Sequence, residues 1–108
     1  MKEFFAALCN VPSVAELARQ VAQCSYGAVR ESVGAHVLAY TRAEARGYVR
    51  AKAGSVVRAE ARLLAGRHPS LSSTRLDSVI NLASDRVVQS VLADLNRERA
   101  RRSLPRAA

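Results

Sequence analysis

Three arginines recur at every fourth position near the middle of the chain, at Arg42, Arg46 and Arg50. Side chains spaced by four residues share one face of an α-helix, and guanidinium groups bind phosphate and carboxylate strongly. Further basic residues follow on the same predicted helix and at the end of the chain: Lys52, Arg58, Arg97, Arg99, Arg101 and Arg102. The pattern predicts a surface for a polyanion, either a nucleic-acid backbone or an acidic protein.

The distribution of charge supports this interpretation. The chain carries 17 basic and 9 acidic residues, a formal net charge of +8. Residues 36–66 hold six basic residues against two acidic ones, and residues 97–108 hold five against one, whereas the other two segments are balanced. Like charges at helical spacing destabilise an isolated helix. Something must therefore neutralise these two segments, and a polyanion is one candidate.

The arginines also have a purely structural interpretation. In an antiparallel hairpin that turns near residues 69–70, three aspartates face the basic helix, and each exposed pair contributes about 0–1 kcal/mol. About half of the basic residues remain without a partner even then, and a basic face that only keeps the protein soluble is a further alternative. The expected pairs are Asp77 with Arg62, Asp94 with Arg46, and Asp85 with Arg50 or Arg58.

Small residues form a second row on the same helix, with Ala39, Ala43, Gly47 and Ala51 continued by Ser55 and Ala59. Small side chains at this spacing let another helix approach closely. Close packing inside the hairpin is the favoured explanation. A self-association surface, giving a homodimer, is the alternative.

Residues 13–33 resemble a helix-turn-helix motif over about 21 residues. The segment 13–21 is similar to the first helix of such a motif, with Ala18 at its small position, and the segment 25–33 is similar to a recognition helix. Ala22 replaces the usual turn glycine, and Arg30 is the one long basic side chain of the second helix. The motif implies a DNA-reading regulator, which we keep as a second alternative.

Nothing in the sequence argues for catalysis, a cofactor or a bound metal ion. The soft ligands Cys9, Cys24, His36 and His68 lack the close pairing of a zinc site. We expect buried thiols and an exposed loop histidine. No phosphate loop or nucleophile motif is present, so the prediction is a non-enzymatic protein without a small-molecule substrate.

Length and composition limit the class of protein. A chain of 108 residues with 49% hydrophobic and 5% aromatic residues predicts a single globular domain with a small core of Val, Leu and Ala. No apolar run approaches the roughly 18 residues of a membrane span, and the N-terminal apolar segment is too short for a signal peptide. With two cysteines, this predicts a cytoplasmic protein that does not bind membranes.

The elements that position these residues are all helical. The fold class is all-α, three to four helices dominated by a long antiparallel hairpin of residues 35–65 and 74–96, within a domain of residues 1–96. Ser13 and Glu16 form a capping box, Gly66 suits a left-handed cap, and Thr74 or a neighbouring serine begins the last helix. The apolar stripe from Leu76 to Leu95 has helical period. Residues 97–108 are expected to fray into a basic tail, and whether Gly34 breaks a helix stays open.

Overall fold

Three α-helices make up most of the computed structural model, which describes residues 12–103. Helix α1 covers Val14–Val33, a 3-10 helix covers Ala35–Ala39, α2 covers Arg42–Arg67 and α3 covers Ser73–Ser103. Each α-helix packs against the other two, and no strand occurs in the described range. The all-α prediction is confirmed. None of these helices is long and apolar enough to cross a bilayer.

One core of aliphatic side chains lies between the helices. Valine dominates it, and each of the three helices contributes at least one alanine that lets the helices approach closely. The stripe predicted on α3 is confirmed at its centre, where Val79, Ala83, Val87 and Val91 are buried. Ser25 on α1 is the one buried polar residue of the described range.

Helix α1 is continuous, so the turn expected at residues 22–24 is wrong. Ser13 caps it, accepting a hydrogen bond at Oγ from the Glu16 backbone N–H at 3.1 Å. Val21, Ser25 and Val29 follow at four-residue spacing and are all buried. An unbroken helix turns these positions toward one core, and no glycine or proline interrupts residues 22–24. Residues 14–33 form one helix and not two, so the helix-turn-helix interpretation of residues 13–33 is wrong.

Gly34 ends α1, which answers the question that the sequence left open. Its backbone has φ 67° and ψ 168°, a conformation open to glycine and strained for other residues. The 3-10 helix follows, and the chain is extended at Tyr40 and Thr41. Thr41 and Glu44 then form a full capping box that starts α2. The first limb of the predicted hairpin therefore begins at Arg42 and not at residue 35.

The end of α2 differs from the prediction in its cap, whereas a serine close to Thr74 begins α3 as predicted. Gly66 has no positive φ and lies inside α2, which ends one residue later with His68 as its C-cap. Ser72 caps α3, accepting at Oγ from the Arg75 backbone N–H at 3.2 Å.

The expected frayed tail is wrong for residues 97–103, which continue α3. Glu98 pairs with Arg101 and Arg102 at helical spacing, and such pairs support a helix terminus. Residues 104–108, Cys9 and the rest of residues 1–11 lie outside the described range.

Candidate polyanion-binding surface

The row of arginines on α2 forms one exposed edge beside α3. Arg42, Arg46 and Arg50 are all exposed. Arg46 and Arg50 line a shallow groove of about 280 Å³ whose other wall belongs to α3. The α3 wall consists of Asp85, Val88, Gln89 and Leu92.

One of the three predicted interhelical ion pairs is present. Arg50 Nη1 lies 3.6 Å from Asp85 Oδ1, but both side chains are more than half exposed, at 62% and 56%. Water screens such a pair, so it contributes at most about 1 kcal/mol. It leaves Arg50 available to a competing anion.

The other two pairs are wrong. Asp94 pairs with Arg97 on its own helix and approaches Arg30 Nε of α1 at 4.0 Å, because α1 lies on that side of α3. Asp77 has no basic nitrogen within 4.0 Å in residues 12–103. Neither Arg42 nor Arg46 has a carboxylate oxygen within 4.0 Å in that part of the chain.

Lys52 and Arg58 do not share the edge of Arg42, Arg46 and Arg50. At about 100° per residue, Lys52 and Arg58 each lie about 120° around the helix from Arg46, in opposite directions, whereas Arg42 and Arg50 lie about 40° from it. The Lys52 Nζ lies 5.5 Å from the centre of the Tyr48 ring, a cation–π contact. The polyanion-binding set predicted from the sequence is therefore divided between separate sides of α2.

Tyr48 belongs to a cluster of three aromatic rings at the start of α2. His36, Tyr40 and Tyr48 make mutual edge-to-face contacts with centroids 5.4–5.8 Å apart. Tyr40 and Tyr48 are half-buried and pack against the core. The cluster is thus part of the packing between the 3-10 helix and α2.

The arginines near the end of α3 have two different roles. Arg97, Arg101 and Arg102 are exposed and pair with Asp94 or Glu98 of the same helix. Arg99 is half-buried, and its Nη2 donates to the carbonyl oxygens of Val37 and Tyr40 at 3.5 and 3.0 Å. Arg99 therefore holds α3 against the 3-10 helix and is not a free surface cation.

A second groove, which the sequence analysis missed, lies between α1 and α3. We call it the α1–α3 groove. Its larger part has a volume of about 750 Å³, and a further part of about 570 Å³ continues from it past Asp94 and Arg97. The arginines that line it are Arg19, Arg30, Arg86, Arg97 and Arg101.

The comparison of net charge between segments did not reveal this groove, because residues 1–35 and residues 67–96 each have a net charge of zero. The spacing of residues along each helix could have indicated the groove. Arg19, Gln23, Tyr26 and Arg30 share one face of α1. The α3 residues Arg86, Ser90, Ala93 and Arg97 do the same on their helix.

Arg19 is held at one edge of this groove by a hydrogen bond to Glu16. That bond lowers the pKa of Glu16 and raises the pKa of Arg19, so both groups stay charged across the neutral pH range. Arg86 has no carboxylate within 4.0 Å in residues 12–103.

The row of small residues faces solvent, so close packing inside the hairpin is wrong as its explanation. Ala39, Ala43, Gly47 and Ala51 are all exposed, and a Cβ built on Gly47 meets no atom within 4 Å. The inward row lies two positions further along, at Ala45, Val49, Ala53, Val57 and Ala61.

Cys24 is exposed, so the expected burial of that thiol is wrong. No three His, Cys, Asp or Glu side chains of residues 12–103 lie close enough together to hold a metal ion. No known protein family, curated protein or solved structure matches the chain. Its function must be argued from its own residues.

Proposed function

We propose that this protein is a non-enzymatic binding module that engages a polyanionic partner, a nucleic-acid backbone or an acidic protein, through an arginine edge. The observation that carries the proposal is the exposed line Arg42, Arg46 and Arg50, in which one side chain has a weak acidic partner in the described chain. Three guanidinium groups at four-residue spacing span about 12 Å of helix. A row of phosphates or carboxylates can pair with all three.

The helical scaffold supports this role. Arg50 pairs with Asp85, and Arg99 reaches back to Tyr40 just before α2. We infer from these contacts that α2 and α3 form a long antiparallel hairpin. The helix fixes the backbone of the arginine edge before binding, so binding has to order only the arginine side chains.

The test is fluorescence anisotropy with labelled random duplex DNA, single-stranded RNA and poly-glutamate, titrated between about 50 and 200 mM salt. The triple variant Arg42→Gln, Arg46→Gln, Arg50→Gln should lose most of its affinity. The slope of log affinity against log salt for duplex DNA should fall by about three. The matched control Arg62→Gln, Arg67→Gln, Arg75→Gln removes three exposed arginines elsewhere. Equal losses in both variants, or binding to none of the three probes, would contradict the proposal.

Self-association is the second candidate function, and the exposed small-residue row favours it. Ala39 lies in the 3-10 helix, but the α2 face of Ala43, Gly47 and Ala51 has no protruding side chains, so a second copy can approach it closely. In a homodimer built on this face, Gly47→Leu should halve the mass measured by light scattering. Gly27→Leu is the matched control, because Gly27 is also helical and open to solvent. A monomeric wild-type protein, or a mass unchanged by Gly47→Leu, would reject this candidate.

A further inference from the structure

We propose that the α1–α3 groove docks an acidic amphipathic helix of a partner protein. This proposal rests on the proposed function only for the sign of the partner's charge, because the groove does not include Arg42, Arg46 or Arg50.

The floor of the groove is apolar and shallow. Ala22 and Tyr26 of α1 are half-buried and pack against the core, and Ala93 of α3 is exposed beside them. Small side chains let a third helix approach the two helices closely, and a pair of helices offers a trough that another helix fills in a bundle. Apolar residues on the partner helix would cover Ala22, Tyr26 and Ala93.

The edges of the groove carry a net positive charge, because the five arginines that line it outnumber its two carboxylates. Arg19 and Arg86 line its larger part, and Arg30 and Arg101 line the part beyond Asp94. From Arg86 to Arg101 the rise along α3 is about 22 Å, the length of a helix of about 15 residues. Glutamates on both sides of such a helix would pair with these arginines, while its apolar face covered the floor.

A nucleic-acid backbone fits this groove less well than a helix does. Asp94 and Glu98 line it and repel glutamate as they repel phosphate, but every unit of a nucleic-acid backbone is charged, whereas a helix can carry uncharged residues beside these two carboxylates. A chain of phosphates also gains nothing from covering apolar side chains, whereas the apolar face of a helix does. The groove therefore combines charge and apolar surface in the way that helix recognition uses both.

The experiment measures binding of a labelled synthetic amphipathic peptide with Leu and Ala on one face and Glu along both edges. A peptide with Gln in place of Glu is the charge control. Wild type should bind the acidic peptide. The double variant Arg86→Gln, Arg97→Gln should bind it about tenfold more weakly. The matched variant Arg62→Gln, Arg75→Gln removes two exposed arginines outside the groove and should keep the wild-type affinity.

Ala93→Arg separates docking from simple attraction. This change adds a positive charge but fills the floor with a long side chain, and arginine is a good helix former. A docked helix should then bind at least about tenfold more weakly. Tighter binding by Ala93→Arg would overturn the proposal, as would equal losses in the two double variants or equal affinity for both peptides. Circular dichroism confirms that each variant is folded.

Parallel titrations separate this inference from the proposed function. Loss of poly-glutamate and nucleic-acid binding in the Arg42, Arg46, Arg50 variant, with peptide binding retained, supports two separate surfaces. If the binding of duplex DNA or RNA depends on Arg86 and Arg97 and the acidic peptide does not bind, the groove is a nucleic-acid site and the inference is overturned.

Discussion

The guanidinium of Arg99 donates a hydrogen bond to the carbonyl oxygen of Tyr40 at 3.0 Å, across 59 residues of sequence. Tyr40 lies between the 3-10 helix and α2, where its carbonyl has no partner within a continuous helix. Arg99 satisfies this group and so connects the end of α3 with the entrance to α2.

We expect Arg99→Met to lower the free energy of unfolding by about 1–3 kcal/mol, because the half-buried carbonyl of Tyr40 loses its charged donor. Urea denaturation measures the change. Arg101→Met, which removes an exposed arginine two residues away, should cost less than about 0.5 kcal/mol. Polyanion affinity should stay the same in Arg99→Met, and a selective loss of affinity without a loss of stability would show that Arg99 is a binding residue.

The protein should become more stable when Ser25 is replaced by alanine. Its hydroxyl is fully buried in the core and lacks a hydrogen-bond partner in the described chain. Ser25→Ala removes an unsatisfied polar group and should raise the free energy of unfolding by about 1 kcal/mol beyond the effect of helix propensity. Ser55→Ala on the exposed face of α2 measures propensity alone. Equal effects of the two substitutions would mean that the Ser25 hydroxyl is already satisfied.

Replacing two of the glycines by alanine should change the stability of the protein in opposite directions. Gly34→Ala should cost about 1–3 kcal/mol, because φ 67° with ψ 168° strains any side chain and a Cβ there would lie 3.0 Å from His36 Nδ1. Gly47→Ala should stabilise the protein by about 0.5–1 kcal/mol, because Gly47 lies within α2 and a Cβ meets nothing nearby. Thermal unfolding followed by circular dichroism measures both. Stabilisation by Gly34→Ala would show that this turn is not under the inferred constraint.

The start of α2 should weaken in acid. The Thr41 backbone N–H donates to the Glu44 carboxylate at 3.0 Å, and this bond lowers the pKa of Glu44 from its ordinary 4.5. A carboxyl whose pKa is lower in the folded state stabilises the protein above its unfolded pKa, and this contribution is lost as the pH falls through the folded value.

Wild type should therefore lose more stability than Glu44→Gln on acidification below 4.5, because glutamine also serves in a capping box without titrating. Urea denaturation at neutral and acidic pH compares the two proteins. Parallel pH profiles for wild type and Glu44→Gln would contradict this role for the carboxylate.

Local sequence signals determined a large part of this structure. The period of the apolar residues on α3, the Ser13 cap and the helix boundary near residues 66–69 depend on contacts within a few residues, and all three are found close to where they were predicted. The row of Arg42, Arg46 and Arg50 shares a face for the same reason, since helical geometry alone aligns residues four apart.

Tertiary packing decided the rest. Whether Val21 and Val29 belong to one helix depends on the common core that both enter, and whether Ala45 or Gly47 turns inward depends on where α1 and α3 lie. The α1–α3 groove brings Arg19 and Arg86 together from segments that are each neutral in sum. Sequence spacing cannot place residues of different helices side by side, because their distance is set by which faces pack together. The α1–α3 groove therefore became visible only when the three helices were assembled, whereas the arginine edge was already evident from helical spacing.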